Sequence, residues 1–116
     1  MQLSLRIRKK ELIRLITGEK KTEYRSGSEF YCKKLAANYN TKSKEKVEFE
    51  PKPFTTVLFF TGESKNDLRA VFEIKSIELW KYIDCVPKDE DFEIGDINFH
   101  INIGKFLESN YKEAVN

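Results

Sequence analysis

The period of the hydrophobic pattern constrains the fold of this chain more than any other sequence feature. The first 40 residues alternate between strand-like and helical periods, whereas three strand-like segments then follow one another without a helical segment between them. The predicted order is β-α-β-α-β-β-β-α, with segments at 2–8, 9–18, 21–25, 26–40, 54–62, 68–80, 97–104 and 105–114. Consecutive strands disfavour a doubly wound sheet. They favour an α+β domain, a small mixed β-barrel of about five strands with two to three flanking helices.

Chain length and composition indicate a single domain over residues 1–116. Apolar residues make up 40% of the sequence and charged residues 34%, which is typical of globular proteins. A chain of this length buries somewhat under ~70% of the surface exposed when unfolded, so it can fold without a disulfide or a metal. The polar, proline-containing stretch at about 41–53 is predicted to be a flexible loop within the domain, because too little chain precedes it for a separate core.

Several protein classes are disfavoured by the sequence. No apolar run approaches the ~18 residues of a membrane span, and the N-terminus alternates instead of showing a signal-peptide core. Cys32 and Cys85 are too few for a disulfide framework and lack metal-ligand spacing. We therefore expect a cytoplasmic protein, monomeric by default, with no metal, no organic cofactor and no membrane partner.

Charge is distributed unevenly along the chain. Residues 1–52 hold 14 Lys and Arg against 7 Asp and Glu, a net +7, and the remainder holds 7 against 12, a net −5. Charge that is segregated in this way can give the fold a positive face, which attracts phosphate backbones. The alternative is a set of solvated helix faces.

Residues 18–25, GEKKTEYR, place charges where a helix gives way to a strand. Gly18 lies where a helix C-cap belongs, and Glu23 and Arg25 share a strand face. The Arg25 guanidinium could donate two hydrogen bonds to a phosphate or to a base edge, and the Glu23 carboxylate could accept a hydrogen bond from an exocyclic amine. Lys20 could bind phosphate, or act as a base or nucleophile if burial lowered its pKa. Alternatively, these charges form a salt bridge that braces the corner.

Other polar and aromatic positions have two interpretations each. Tyr24 and Tyr31 could stack a base or belong to the core. Lys33 lies on a helix face that is either simply solvated or part of a positive rim. Lys65 and Asn66 occupy a turn that suits Asn on conformational grounds alone. His100, the only histidine, lies between two asparagines on a polar strand face, which favours a surface role.

Four segments carry a resemblance to a known family. Gly18, Lys20, Glu23 and Arg25 fit the pattern G-x-K-x-x-E-x-R, and the segments EYRSGSEFYCKKL, VLFFTGESKNDLRAVFEIKSI and INIGKFLE match in order. In this pattern the chain resembles the ASCH domains of the PUA-like superfamily. The resemblance implies a PUA-like barrel with a cleft beside the 18–25 turn, and binding of RNA or nucleotides.

Some ASCH domains similar to this pattern are small amidohydrolases that act on acylated cytidine. In those, the signature Lys works with a Thr and with a Glu from a later helical segment. This chain has Lys20, but it carries Glu23 at the position of the Thr, and its short 81–95 segment offers no obvious helix.

The leading hypothesis is a small binding module for RNA, a nucleotide or a nucleoside. Its expected binding residues are Lys20, Glu23, Arg25, Tyr31, Lys33, Lys65 and Asn66. One alternative is a small hydrolase acting on a modified (acylated) nucleoside or on RNA, with Lys20 and Glu23 as catalytic acid–base pair. Another is a protein-interaction domain whose charged motif is structural.

Overall fold

A computed structural model describes residues 1–37 and 49–112 of the chain. It contains five strands and two helices: β1 (Gln2–Arg6), α1 (Lys9–Ile16), β2 (Thr22–Ser26), α2 (Glu29–Leu35), β3 (Thr56–Phe60), β4 (Arg69–Lys81) and β5 (Ile97–Ser109). Neither of these two helices has the length and apolar character needed to cross a membrane.

The strands form one hydrogen-bonded sheet in the order β1-β3-β4-β5-β2. β1 runs parallel to β3, and β3 runs antiparallel to β4, so the sheet is mixed. Five strands and two helices in this order confirm the predicted α+β class. The PUA-like barrel is a finer statement and stays a prediction.

The chain divides into two compact units. The first contains Met1–Glu23, Pro53–Ser76 and Asn102–Asn116, and the second contains Tyr24–Lys52 and Ile77–Ile101.

The core of the first unit follows from the strand register. Residues paired across β1, β3 and β4 point to the same side of the sheet. One side is buried in two rows, Leu3–Val57–Phe72 and Leu5–Phe59–Ala70. Helix α1 adds its own apolar stripe, in which Leu12 and Leu15 are buried.

We call the opposite side of β1, β3 and β4 the outer face. Its rows are Gln2–Thr56–Glu73, Ser4–Leu58–Val71 and Arg6–Phe60–Arg69. The apolar run at 54–62, with apolar residues on both strand faces, predicts a strand covered on both sides, but Leu58 and Phe60 are only partly buried and the β1 side chains beside them are exposed. An apolar strand between two neighbours can thus keep one face open to solvent.

The second unit is built around α2. Ser28 caps this helix, since its side chain accepts a hydrogen bond from the Tyr31 backbone N–H. Gly27 precedes the cap and donates its N–H to the Ile97 carbonyl at 2.8 Å. A Cβ at Gly27 would lie 2.7 Å from the Ile97 side chain, so only glycine allows this close approach.

Helix α2 is shorter than the predicted 26–40. It ends at Leu35, and Ala36 forms a bridge with Pro51 in extended backbone. Backbone hydrogen bonds from Ala37 to Glu50 and from Lys52 to Leu35 fix this pairing, which replaces further helical turns. Residues 38–40 of the predicted helix and residues 41–48 of the predicted loop lie outside the described residues.

The predicted helix at 105–114 is wrong over its described part, because β5 continues to Ser109. The Asn110 side chain accepts a hydrogen bond from the Arg69 N–H at 2.7 Å, and the Ser109 hydroxyl donates to the Arg69 carbonyl. The Phe106 ring also packs edge-on against Phe72. Residues 105–109 therefore form a strand because they pair with the long strand β4, although the apolar residues of this segment have helical spacing. Residues 113 and 114 are outside the described residues.

Gly18→Ala tests the turn after α1. Gly18 has φ of 81°, and an added Cβ would meet no atom within 4 Å, so the substitution introduces backbone strain alone. We expect the free energy of unfolding to fall by about 1–2 kcal/mol. Urea denaturation measures it, with Gly104→Ala as control because a Cβ there makes an ordinary 3.6 Å contact with Glu73. Equal effects of the two substitutions would contradict the account.

Candidate functional site

The turn after α1 folds the signature segment back onto its own helix. The N–H groups of Thr17 and Gly18 donate to the carbonyls of the last helical turn, and Gly18 adopts the left-handed conformation predicted for a C-cap. The Lys20 N–H then donates to the Arg14 carbonyl at 3.0 Å. This reversal brings the Lys20 side chain beside α1.

Lys20 lies between two carboxylates of the first unit. Its Nζ donates to Oε2 of Glu11 on α1 and to Oε1 of Glu23 on β2, each at 2.9 Å. The side chains of Lys20 and Glu23 are only 8% and 7% exposed. Arg14 extends the network, with contacts of 3.1 Å to Glu11 and 3.5 Å to Glu19. The spacing along β2 predicts a bracing pair of Glu23 and Arg25; the ion pairs at the corner instead have Lys20 as their central cation.

The pKa shifts follow from this geometry. Burial opposes the charged form of Lys20, but the hydrogen bonds and charges of Glu11 and Glu23 outweigh it and raise the pKa of the ammonium. Burial also opposes ionisation of Glu11, yet Lys20 and Arg14 lower its carboxyl pKa. Lys20 therefore stays protonated. The condition for a base or nucleophile, a lowered pKa, is not met.

A polar chain continues from β2 within the first unit. The Thr22 hydroxyl donates to the Asn102 side-chain oxygen at 2.7 Å, and the Asn102 amide donates to the Ser76 hydroxyl at 2.9 Å. Lys21 accepts a backbone hydrogen bond from Ile103. Thr22 and Glu23 thus anchor β2 through opposite faces of the strand.

In the second unit, Arg25 and Tyr31 meet in a series of cations and rings that we call the α2 row: Arg25, Tyr31, Phe30 and Lys34. Arg25 Nη1 donates to the Tyr31 hydroxyl at 3.1 Å, and the guanidinium lies 5.8 Å from the ring centroid. The Tyr31 and Phe30 rings meet edge-on at 5.0 Å, and Lys34 Nζ lies 5.8 Å from the Phe30 centroid. The Phe30 side chain is 64% exposed, so the row presents a ring to solvent.

Lys33 has a simple environment beside the α2 row. It is exposed and pairs with Glu29 one helical turn away at 3.2 Å. Exposed pairs of this spacing contribute only about 0.3–0.5 kcal/mol, so the ammonium is readily available to another anion.

Lys65 and Asn66 are exposed in the turn after β3. Asp67 holds this turn, because its carboxylate accepts hydrogen bonds from the Ser64 N–H at 2.8 Å and the Thr61 hydroxyl at 3.3 Å. A Cβ at Gly62 would collide with that carboxylate. Lys65 lines an open groove of about 440 Å³ together with Leu58, Phe60, Gly62, Glu63, Ser64 and Arg69.

The structure thus brings together Lys20 with Glu23 in the first unit, and Arg25 with Tyr31 in the second. Lys65 joins residues of the outer face that the sequence did not single out. The common cleft for all seven residues stays a prediction.

An aromatic cluster around His100 was missed. The sequence favours a surface role for this histidine; in the structure it is partly buried, and its ring stacks on Trp80 at 5.5 Å and meets Tyr24 edge-on at 4.8 Å. Nε2 of His100 is 2.9 Å from the Tyr82 hydroxyl, which also accepts from Asn98. The polar alternation of β5 hid this cluster, although Trp80 near the end of β4 and Tyr82 just after that strand offered a signal.

No group of three His, Cys, Asp or Glu side chains within residues 1–37 and 49–112 is placed to hold a metal ion.

Comparisons with protein-family models, curated proteins and solved structures find no match for this chain. The resemblance to ASCH domains therefore stays a prediction, and function must be argued from geometry and chemistry.

Lys20→Met tests the ion network. Methionine keeps the side-chain length but leaves Glu11 and Glu23 without their shared cation. Breaking a buried pair in this way costs about 3–5 kcal/mol, so we expect the free energy of unfolding to fall by about 3 kcal/mol. Urea denaturation measures it, and Lys21→Met is the matched control because Lys21 is an exposed neighbour. Similar small losses in both variants would refute a central role of Lys20.

His100 supports a prediction about pH. Burial lowers its pKa below the ordinary 6.5, and the nearby Glu78 charge opposes this only in part. The unfolded chain then binds a proton more readily than the folded one between these two pKa values. Stability should therefore rise with pH through this window, and be lost as pH falls from about 6.5 toward the folded pKa.

Proton NMR of this single histidine measures its folded pKa directly. His100→Gln serves as control in denaturation curves between about pH 5 and 7.5, where it should lack the histidine contribution. Titration of His100 at or above 6.5 would contradict the prediction.

Proposed function

We propose that the protein is a small binding module for RNA, or for a nucleotide or nucleoside. The observation that carries this proposal is the α2 row, in which two cations flank two aromatic rings. Modules that bind single-stranded nucleic acid combine exposed rings, on which bases stack, with cations that contact phosphates. The α2 row supplies both within one helix and the end of one strand.

The exposed Phe30 ring is the stacking element of this proposal. Phe30 is 64% exposed, so burial of its ring contributes little to the stability of the free protein. Stacking of one base on an aromatic side chain is worth about 1–3 kcal/mol. Phe30 can therefore gain contact area on binding without loss of a core contact.

Arg25 and the α2 lysines are the phosphate-binding elements. The hydrogen bond to Tyr31 orients the Arg25 guanidinium, which reduces the entropy lost when its fork meets an anion. Lys34 is held over Phe30, and Lys33 projects into solvent. Binding that depends on these cations should weaken steeply with salt.

Lys20 and Glu23 have a supporting part in the proposal. Their ion pair fixes the start of β2, the strand that also carries Arg25. The hydrolase alternative requires Lys20 to give up its proton, which both neighbouring carboxylates oppose. Binding without turnover is the function that this geometry favours.

On the sequence resemblance, we further propose that the chain is an ASCH-like member of the PUA-like superfamily. Lys65 and Asn66 are then further candidates for ligand contact. A cytoplasmic location remains the proposal from cysteine usage, and a monomer remains the default.

Fluorescence anisotropy with a labelled single-stranded RNA, at about 50 and about 200 mM salt, tests the binding proposal. Phe30→Ala should weaken binding at least fivefold, the effect of about 1 kcal/mol of lost stacking. Ile83→Ala is the matched control, since Ile83 is 78% exposed in the same unit and outside the α2 row. Lys34→Ala should reduce the salt dependence relative to Lys88→Ala.

Thermal-shift titration with mononucleotides and acylated nucleosides identifies the ligand class in parallel. Stabilisation by a nucleoside alone would assign the smaller ligand, and turnover of that nucleoside would favour the hydrolase. Absence of any response at low salt, or unchanged RNA affinity in Phe30→Ala, would overturn the proposal and favour a protein-interaction domain.

A further inference from the structure

We infer that an exposed apolar patch where β4 ends and β5 begins is a docking surface for a basic amphipathic helix of a partner protein. Four aliphatic side chains of the second unit form this surface, which we call the bulge patch: Leu79, Ile83, Ile94 and Ile97. No residue of the α2 row belongs to it, so the inference does not rest on the proposed nucleic-acid function.

A β-bulge brings the two chains of the bulge patch together. The Tyr82 N–H donates to the Asp96 carbonyl at 2.9 Å, and the Gly95 N–H donates to the Tyr82 carbonyl at 2.7 Å. Gly95 has φ of 97°. Tyr82 therefore opposes two residues, the first of which is a left-handed glycine, and this is the pattern of a G1 bulge. Ile83 and Ile94 continue the two chains beyond the bulge as neighbours.

The other two residues of the bulge patch lie on one face of the strands. The Tyr82 hydroxyl contacts Nε2 of His100 at 2.9 Å and the Asn98 amide at 3.4 Å, so these side chains share a face. Ile97 and Phe99 consequently point to the opposite face. Counting back from the Tyr82–Asp96 pair places Leu79 beside Phe99 on that face.

Exposure distinguishes the bulge patch from the core of the second unit. Phe99 is fully buried, but Leu79 and Ile97 are 38% and 45% exposed, and Ile94 and Ile83 are 57% and 78% exposed. The face thus begins at the core and continues into solvent as aliphatic surface. A cluster of exposed large apolar side chains on a folded domain marks an interaction site more often than scattered single ones do.

The charge around the bulge patch selects a basic partner. Residues 77–101 carry a net −5, from seven carboxylates and two lysines: Glu78, Asp84, Asp89, Glu90, Asp91, Glu93 and Asp96 against Lys81 and Lys88. The other described parts of the unit, 24–37 and 49–52, contribute +2 and 0, so its described residues sum to −3. Such a surface repels nucleic acid and attracts a polycation.

The acidic side chains lie at the rim of the apolar surface. Asp84 follows Ile83 directly, and Glu93 precedes Ile94 directly; both carboxylates belong to exposed residues. An apolar centre with a charged rim is the usual composition of a protein–protein interface. Basic residues on the flanks of a partner segment would meet these two carboxylates while its apolar residues cover the isoleucines.

The dimensions of the bulge patch suit a helix. Leu79 and Ile83 are four residues apart, about 13 Å along an extended chain. Apolar residues at i, i+3, i+4 and i+7 extend about 10 Å along a helix, so two turns cover the patch. A second copy of this chain fits less well, because twofold packing of two bulge patches would bring the two acidic rims together.

Fluorescence anisotropy with a labelled synthetic peptide of about 18 residues, with leucines on one helical face and arginines on the other, tests the docking surface in the full chain. Ile83→Ser and Ile94→Ser should each weaken peptide binding at least about fivefold. Leu107→Ser is the matched control, since Leu107 is 42% exposed in the first unit, and it should leave binding unchanged.

Charge variants test the sign of the electrostatic contribution. Asp84→Asn should weaken peptide binding about twofold at low salt, and Glu108→Gln, which removes an exposed carboxylate of the first unit, should not. Lys81→Gln should strengthen binding about twofold, because it removes a cation from the face that receives the arginines. Weaker binding in Lys81→Gln would overturn the charge argument.

Two control peptides and the location of binding decide the remaining alternatives. Equal binding of a peptide with glutamates in place of the arginines, or of a scrambled arginine–leucine peptide, would overturn docking of a basic helical face. Absence of peptide binding would overturn the inference, and self-association that Ile83→Ser abolishes would assign the surface to a second copy instead. ¹⁵N amide shifts confined to the α2 row would also overturn it.

Failure of this inference can be distinguished from failure of the proposed function. We expect Phe30→Ala to leave peptide affinity unchanged, and Ile83→Ser to leave RNA affinity unchanged. Loss of peptide binding in Phe30→Ala would place the peptide on the α2 row and overturn the inference. Peptide binding without any RNA response would leave the inference standing and overturn the proposed function.

Discussion

The ammonium of Lys20, held between the carboxylates of Glu11 and Glu23, is the interaction on which the structure of the signature corner depends. It joins α1 to β2 across a turn that only the left-handed Gly18 allows at low cost. A buried ion pair is weak evidence of net stabilisation, because its desolvation cost offsets much of the attraction. Its strength lies in specificity: any other arrangement of this turn would leave a buried charge without its partner. The charged motif therefore encodes geometry before it encodes chemistry.

Local signals predicted the parts of this corner that local physics decides. The sequence predicts helix α1 from its period, the glycine that ends the helix, and the return to strand-like alternation in β2. Gly18 adopts the predicted backbone conformation. The second carboxylate beside Lys20 could not be predicted, because Glu11 lies on the helix and reaches Lys20 only after the chain has turned back. The direction of the Lys20 pKa shift depends on that same non-local contact. The spacing along β2 suggests Arg25 as the partner of Glu23. That spacing carries no information about Lys20, which lies in the turn before the strand.

The mistaken predictions share a physical cause. Apolar spacing after residue 104 predicts a C-terminal helix, yet the long strand β4 offers that segment hydrogen-bond partners as far as Ser109 and Asn110. The sequence favours a surface role for His100 because its strand neighbours are asparagines. In the fold, Trp80 and Tyr82 cover that face and turn it into an aromatic cluster. In each case the environment of a side chain is set by a strand distant in sequence, which a periodic pattern cannot reveal.

Charge balance decides where an anionic ligand would be attracted. The network of Glu11, Arg14, Glu19, Lys20 and Glu23 contains three carboxylates and two cations, so its sum is −1 and it offers phosphate no net attraction. An exposed ring with cations on its flanks occurs instead in the α2 row. Stacking on a ring does not depend on the net charge of the protein, and a nearby guanidinium adds directional phosphate contact. The sequence motif that suggested a nucleic-acid site thus braces the corner between α1 and β2, and the physical case for RNA binding rests on the Phe30 ring and the cations beside it.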